Sequence, residues 1–354
     1  MFESIGLDIF AIIIFFSILS SITMKFCIKK IKLKELIAVL NDRSSHSGNI
    51  LQIGGIGIFL SLLVYFILNT VLNIHNENNY ILLLCISTMF ICGLIDDIYN
   101  LNPAIKILTQ IFVLYFFCEN TQLFISNFYG LFGLNTIESS TAKILTIFSG
   151  IVIINSFNLI DGVDGLAGAM GLLISCFFLI VFYIQKNYYF AFFCAAILSC
   201  IASFLYFNLL SINYKIFLGN NGSLLIGFSI FCMIIMSLNN NYSFNEIKNL
   251  PVIILTLLSF QFIDTLRVMG IRAIFKKNIF HGDKNHIHHV VNNHLNSHKK
   301  TTSVIISYSI ISIIISLLTN SFSITIHFIT MLVFCSLLIY LIIKTVKKIN
   351  NKNL

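Results

Sequence analysis

Apolar runs long enough to cross a bilayer as helices, about 20 residues each, follow one another from residue 5 to residue 343 with no polar domain between them. A chain built this way cannot close into a water-soluble globule. Of its 354 residues 57% are hydrophobic and 10% charged, with a mean hydropathy of +0.92, which leaves too few polar groups to cover a soluble surface. The sequence predicts an all-α polytopic membrane protein, read as a single integral domain over 1–354. Eleven spans are expected, near 5–27, 50–72, 80–95, 104–118, 141–158, 165–184, 189–208, 222–238, 250–271, 303–319 and 323–343. Residues 119–140 hold a weaker apolar stretch broken by Asn127, Gly130 and Gly133, read as an interfacial or re-entrant piece. The first apolar run lacks a basic leader and a small-residue cleavage site, so it is expected to stay as a span.

Basic residues set the orientation, because cytoplasmic loops retain them. With the N-terminus outside, 19 of the 22 Lys and Arg residues fall on the inner side and only Lys143, Lys186 and Lys248 fall outside. The net charge of +8 is then a topology signal satisfied by membrane lipids, with no nucleic-acid partner required. The nine cysteines lie almost wholly in apolar runs and form no CxxC spacing, as small core residues would. The polar segments on the assigned inner side are long and chemically loaded, whereas those on the outer side are short and plain. That convergence predicts one cytoplasmic-face site assembled from several loops.

The densest cluster is Asn155-Ser-Phe-Asn-Leu-Ile-Asp-Gly-Val-Asp-Gly-Leu-Ala-Gly168. Asp161 and Asp164 stand at the end of an apolar segment, where an ionisable group is costly and marks a site by default. A polar turn explains the glycines but not Asn155, Asn158 and both acids. Asp96 and Asp97 end the third span side by side. Two adjacent carboxylates repel each other, so a divalent cation or a phosphate between them makes the pair intelligible. Lys106 could face a phosphate there or snorkel to the interface. His286-Ile-His-His289 follows Asp283 in a long loop over 272–302. Three readings stay open for it: a transition-metal site, a cationic clamp for a pyrophosphate, or a plain histidine-rich loop. Phe217-Leu-Gly-Asn-Asn-Gly-Ser223 opens the eighth span with a turn whose N–H groups suit an anion, although Asn-Gly-Ser is also an ordinary cap.

Taken together and in order, NxxNxxDGxDGL, the preceding Asp96-Asp97 and the later DxxHxHH resemble the polyprenyl-phosphate N-acetylhexosamine-1-phosphate transferases, glycosyltransferase family 4. The resemblance runs from Arg43 to His289, and the spacing from His46 to Gly54-Gly55 is similar to that family's first cytoplasmic loop. HxHH in place of three consecutive histidines favours the branch acting on undecaprenyl phosphate and N-acetylglucosamine over the peptidoglycan translocase.

The resemblance implies transfer of a HexNAc-1-phosphate, most simply from UDP-GlcNAc, to undecaprenyl phosphate, with release of UMP. A lipid-linked glycan of the cell envelope would start there, in the bacterial inner membrane. By resemblance Asp96 is the base or lies near the nucleophile, with Asp97 and Asp161 supporting it at the metal and phosphates. Asp164 and Phe217 would contact uridine. Asn155, Asn158, His46, Lys106, Asp283, His286, His288 and His289 would hold substrate. Mg²⁺, or Mn²⁺ in its place, would sit among Asp96, Asp97, Asp161 and Asn220. A homodimer is left open, because no span carries an evident small-residue dimer face.

Three departures accompany the resemblance. The usual Gly-Asp-x-Gly-Ser has Asn220 where its acid would stand, which keeps an oxygen ligand but loses a charge. The stretch between Asn208 and Phe217 is long and lacks a Pro-Pro-Ala approach. Ser44 and Ser45 replace a basic residue before His46. The competing expectation is a family-derived membrane protein that binds lipid phosphate or nucleotide sugar without turnover.

Overall fold

The computed structural model describes residues 2–30, 51–72, 78–211, 213–239, 247–274, 276 and 286–350. In chain order these form helices α1 (Phe2–Lys30), α2 (Gly54–Val71), α3 (Asn78–Tyr99) and α4 (Pro103–Thr121), then strands β1 (Asn127–Leu131) and β2 (Leu134–Thr136). Helices α5 (Ser139–Ile160), α6 (Leu166–Ile184), α7 (Tyr188–Leu205) and α8 (Gly219–Leu238) follow, with a π-helical turn at Tyr206–Leu210 after α7. The chain ends in α9 (Leu250–Leu257), α10 (Ser259–Ile274), α11 (Ile287–Leu295), α12 (His298–Leu318) and α13 (Ile324–Asn350).

Each of the eleven apolar segments is helical. Among the described residues nine helices are long and apolar enough to cross a membrane, or ten when α9 and α10, bent by 61° at their junction, count as one broken span. The segment at 104–118 is α4, which falls outside that group because Lys106, Gln110, Glu119 and Asn120 lower its hydropathy. Its start follows ordinary capping chemistry, with the Asn102 side chain accepting the Ala104 N–H at 3.0 Å and Pro103 in the first turn.

Within 119–140, the segments Asn127–Leu131 and Leu134–Thr136 are strands. They form a short antiparallel hairpin, turned by Phe132 and Gly133 at φ 53° and 80°. Two successive positive φ values match the twist of paired strands, and a glycine makes the second one easy.

The chain forms two compact units. The first comprises 1–126, 137–161 and 167–246. At its centre is α8, wholly buried across its apolar window and flanked by α2, α3 and α5. A helix apolar on every side has to be surrounded in this way. The α3 backbone approaches closely at Gly93, where an added Cβ would lie 2.5 Å from the Asn220 carbonyl oxygen and the Asn221 Cα. The second unit comprises 127–136, 162–166 and 247–354. In it α11 rests on α12 and α13, and the hairpin is tied to α13 by the Phe132 N–H on Thr325 Oγ1 at 3.0 Å. The run Asn155–Gly168 contributes to both units, since Gly162 to Leu166 belong to the second.

Candidate active site

In the first unit the acids at the end of α3 are both engaged. Asp96, with a side chain 4% exposed, accepts the Lys106 ammonium on Oδ2 at 2.9 Å and the Leu101 N–H on Oδ1 at 2.9 Å. Asp97 reaches the first turn of α8. Its Oδ1 accepts the Asn220 N–H at 2.9 Å, and its Oδ2 accepts the Asn221 N–H at 3.0 Å together with the Asn221 side-chain amide. A carboxylate thus satisfies orphan donors at a helix N-terminus, where the helix dipole also favours negative charge. The turn before α8 requires Gly219, which holds φ +78° and would place a Cβ 2.8 Å from Asp97 Oδ2.

The carboxamides form a second layer. Asn158 donates from Nδ2 to Asn220 Oδ1 and to Ser223 Oγ, the latter at 3.0 Å. Asn155 and Gln110 exchange amide hydrogen bonds at 2.7 and 3.3 Å. Phe217 is held by its backbone, its N–H on the Leu51 oxygen and its oxygen under the Gly54 N–H, both at 2.9 Å. The Lys215 ammonium lies 5.7 Å from its ring centroid. Asp161 ends α5 as its C-cap, half-buried.

The second unit gathers the other half of the motifs. Gly162 lies against the histidines, where a Cβ would be 3.0 Å from His289 Cε1 and 3.5 Å from His288 Nε2. The Asp164 N–H donates to His298 Nδ1 at 3.0 Å, and its carbonyl accepts Thr302 Oγ1 at 2.8 Å. The turn Gly162–Gly165 and the HxHH segment, more than a hundred residues apart in sequence, therefore share one packed neighbourhood. HxHH itself is not in a loop. His286 is the N-cap of α11, and His288 and His289 stand in its first turn.

Beneath the histidines lies Asp264 of α10, 2% exposed. Its Oδ2 is 3.0 Å from His286 Nδ1, and its Oδ1 accepts the Ile287 N–H at 2.9 Å and Arg267 Nη2 at 3.1 Å. The His286 and His288 rings are stacked, 5.5 Å apart at 16°. His288 is fully buried, and both its ring nitrogens lack a hydrogen-bond partner among the described residues. Burial pushes its pKa below the ordinary histidine value, with His286 and Arg267 acting in the same direction and Asp264 opposing them.

His46 and Asp283 lie outside the described residues. Of the other residues singled out from the sequence, Asp96, Asp97, Lys106, Asn155, Asn158, Phe217, Asn220 and Asp161 belong to the first unit. Asp164, His286, His288 and His289 belong to the second. Asp96, Asp97 and Asp161 do not bring one oxygen each to within 4.8 Å of one another; among the described residues the group that does so is Asp264, His286 and His288. Sequence reasoning passed over Asp264, Arg267, Gln110, Asn221, His298 and Thr302. Asp264 carried a usable signal, a lone acid in an apolar stretch, whereas the others are visible only through their contacts.

The sequence model of glycosyl transferase family 4 matches residues 79–238. Three relatives share the name undecaprenyl-phosphate alpha-N-acetylglucosaminyl 1-phosphate transferase. The Yersinia pestis protein is 26% identical over 278 residues, covering 77% of this chain and 74% of its own length. The Escherichia coli K12 protein is 24% identical over 291 residues, covering 81% and 76%. The Thermotoga maritima protein is 26% identical over 273 residues, covering 76% and 77%. The family match spans both the Asp96-Asp97 pair and the Asn155–Gly168 run, and the similarity to these relatives extends across about three quarters of the chain.

Proposed function

We propose that this membrane enzyme transfers a HexNAc-1-phosphate, in the first instance GlcNAc-1-phosphate from UDP-GlcNAc, to undecaprenyl phosphate. An oxygen of the lipid phosphate attacks the phosphorus that carries the sugar, and the bond to the bridging oxygen breaks. UMP leaves, and a lipid pyrophosphoryl sugar is formed. The reaction belongs at the cytoplasmic face of the bacterial inner membrane, on the strength of the basic residues assigned there. The observation that carries the reading is the packing of Gly162 against His288 and His289 in the first turn of α11, which brings the DGxDG turn to the HxHH segment. Every relative named above is a transferase, which leaves binding without turnover the weaker reading.

The roles follow from the surroundings of each group. Lys106, already paired with Asp96, is a cation able to meet a lipid phosphate. The first turn of α11 presents backbone N–H groups and imidazoles, a setting that suits the donor's diphosphate. Asp164 and Phe217 remain the proposed uridine contacts. Asp97 is held rigidly by α8, and its oxygens retain acceptor capacity beyond the bonds they make.

The donor set does not make a closed protein cage for Mg²⁺ or Mn²⁺. It does fit an ion held by one or two carboxylates and completed by substrate phosphates, the usual arrangement for Mg²⁺. Asp97 and Asp161 would hold it, with Asn220 beside them. Such an ion supplies charge neutralisation where two anionic phosphates must meet.

The direct test uses membranes containing the protein, radiolabelled UDP-GlcNAc and undecaprenyl phosphate, with Asn220→Asp assayed alongside. Wild type is expected to release UMP and to give label in the lipid extract. Label from the Asp variant alone, across UDP-GlcNAc, UDP-GalNAc and 6-deoxy-HexNAc donors, overturns the reading of an active enzyme.

A further inference from the structure

We infer that Asp264 is a positioning residue for the histidine element: its single carboxylate caps α11 and fixes which nitrogen of His286 carries the proton. The inference deepens the proposed transferase reading and rests on it for the ligand that the histidines meet.

His286 is the N-cap of α11, yet its side chain makes no capping hydrogen bond. Asp264 does the capping from another helix, its Oδ1 on the Ile287 N–H at 2.9 Å. The other oxygen lies 3.0 Å from His286 Nδ1. An ionised carboxylate can only accept, so Nδ1 must be the donor. That leaves Nε2 as the nitrogen free of the carboxylate and able to address a ligand, the logic by which an outer-shell carboxylate orients a working imidazole. Oδ1 also accepts Arg267 Nη2 at 3.1 Å, and the Asp264 carboxylate is 2% exposed. The stacked His288 ring closes one side of the His286 ring.

Asp264, His286 and His288 are also close enough to surround a metal ion. The guanidinium on the same carboxylate weighs against that occupant, because it already supplies the positive charge an ion would bring. We therefore commit to the metal-free arrangement.

The experiment uses full-length protein in lipid nanodiscs, with UDP-GlcNAc and undecaprenyl phosphate as substrates. Wild type, Asp264→Asn, His286→Ala and the double variant are compared for kcat and KM from pH 5.5 to 9. Asn keeps an acceptor for Ile287 but presents an amide to His286. Asp264→Asn is expected to lower kcat about 100-fold, the order of magnitude that a correctly protonated and positioned imidazole contributes. Adding it to His286→Ala is expected to cost no more than about 3-fold further, because the two act as a unit. The pH profile of Asp264→Asn should shift, and that of the double variant should match His286→Ala alone. Costs that multiply in the double variant would show a purely structural role and overturn the inference.

A second measurement needs no active variant. Nitrogen-15 spectra of histidine-labelled wild type, with His286 identified by its loss in His286→Ala, should show its Nδ1 protonated. Protonation at Nε2 alone, or one equivalent of bound zinc in the wild type, overturns the inference. Absence of turnover in the wild type counts against the transferase reading, and the nitrogen spectrum then decides the role of Asp264.

Discussion

Asp97 holds the first turn of α8 through Asn220, whose backbone N–H lies 2.9 Å from its Oδ1 across 123 residues of sequence. The carboxylate also takes the Asn221 N–H at 3.0 Å, so one side chain serves two orphan donors of the most buried helix in its unit. Asp97→Ala leaves those donors unpaired at a cost of about 1–3 kcal/mol. The thermal midpoint in detergent is expected to fall, and transferase activity to be lost with it. A midpoint unchanged from the wild type would mean that the cap does not hold α8.

The approach that permits this cap is set at Gly93, one helical turn before Asp97. An alanine there would place its Cβ 2.5 Å from the Asn220 carbonyl oxygen and from the Asn221 Cα, both backbone atoms that cannot swing aside. Gly93→Ala should therefore destabilise by about 1–3 kcal/mol or more through overpacking, with a fall in the yield of folded protein and in its thermal midpoint. Normal yield together with a normal midpoint is the result that counts against this packing.

These two contacts show why the site was only partly legible in the sequence. Apolar run length alone locates the long helices, because a bilayer demands a fixed length of helix and little else. Asp96-Asp97, Asn155–Gly168 and HxHH stood out because each is costly in an apolar chain. The pairing of Asp97 with Asn220 did not, since it depends on a glycine that lets two distant backbones touch. HxHH reads as part of a loop over 272–302 because α11 is only nine residues long, although Ile287 and Val291, four apart and both buried, carry its helical period. Asp264 met the criterion that singled out Asp161, an acid in an apolar run, but lacked neighbouring motif residues to draw attention to it.

The Asp96–Lys106 pair gives a separable prediction. Lys106→Met leaves a carboxylate with 4% exposure facing no cation. Breaking a buried pair costs about 3–5 kcal/mol, and because Lys106 is itself 26% exposed the expected loss is nearer 1–3 kcal/mol. Adding Asp96→Asn to Lys106→Met should restore much of the thermal midpoint but none of the turnover, if the two charges serve chemistry as well as folding. Recovery of both together would assign the pair to structure alone.

His288 sets a pH dependence whose sign is determined by burial. In the fold its pKa lies below the ordinary histidine value, with burial the largest cause. Unfolding returns the ring to water, where it takes up a proton below about pH 6.5. The unfolded state then binds more protons, so stability is full above that pH and declines as pH falls beneath it, by at most about 1.4 kcal/mol per unit. The groups facing it are Asp264, His286, Arg267 and His289, whose ring centroid is 4.3 Å away. Thermal midpoints should drop between pH 7 and pH 5.5, and His288→Gln should flatten the slope. Equal slopes for variant and wild type would remove His288 as its source.

Asn220→Asp tests whether the missing acid governs metal use. Asn220 Oδ1 accepts the Asn158 side-chain amide, and a carboxylate would accept it equally well. The new charge repels Asp97 but sits at the N-terminus of α8, where the helix dipole favours it, so the thermal midpoint should change little. Because hard-cation affinity follows the number of charged oxygen ligands, the Mg²⁺ concentration for half-maximal transfer should fall, by about 10-fold. Mg²⁺ titrations of lipid labelling at fixed UDP-GlcNAc measure it directly. Identical Mg²⁺ dependence in variant and wild type would place the Asn220 side chain away from the ion, and its service would then be to hold Asn158 and the start of α8 in register.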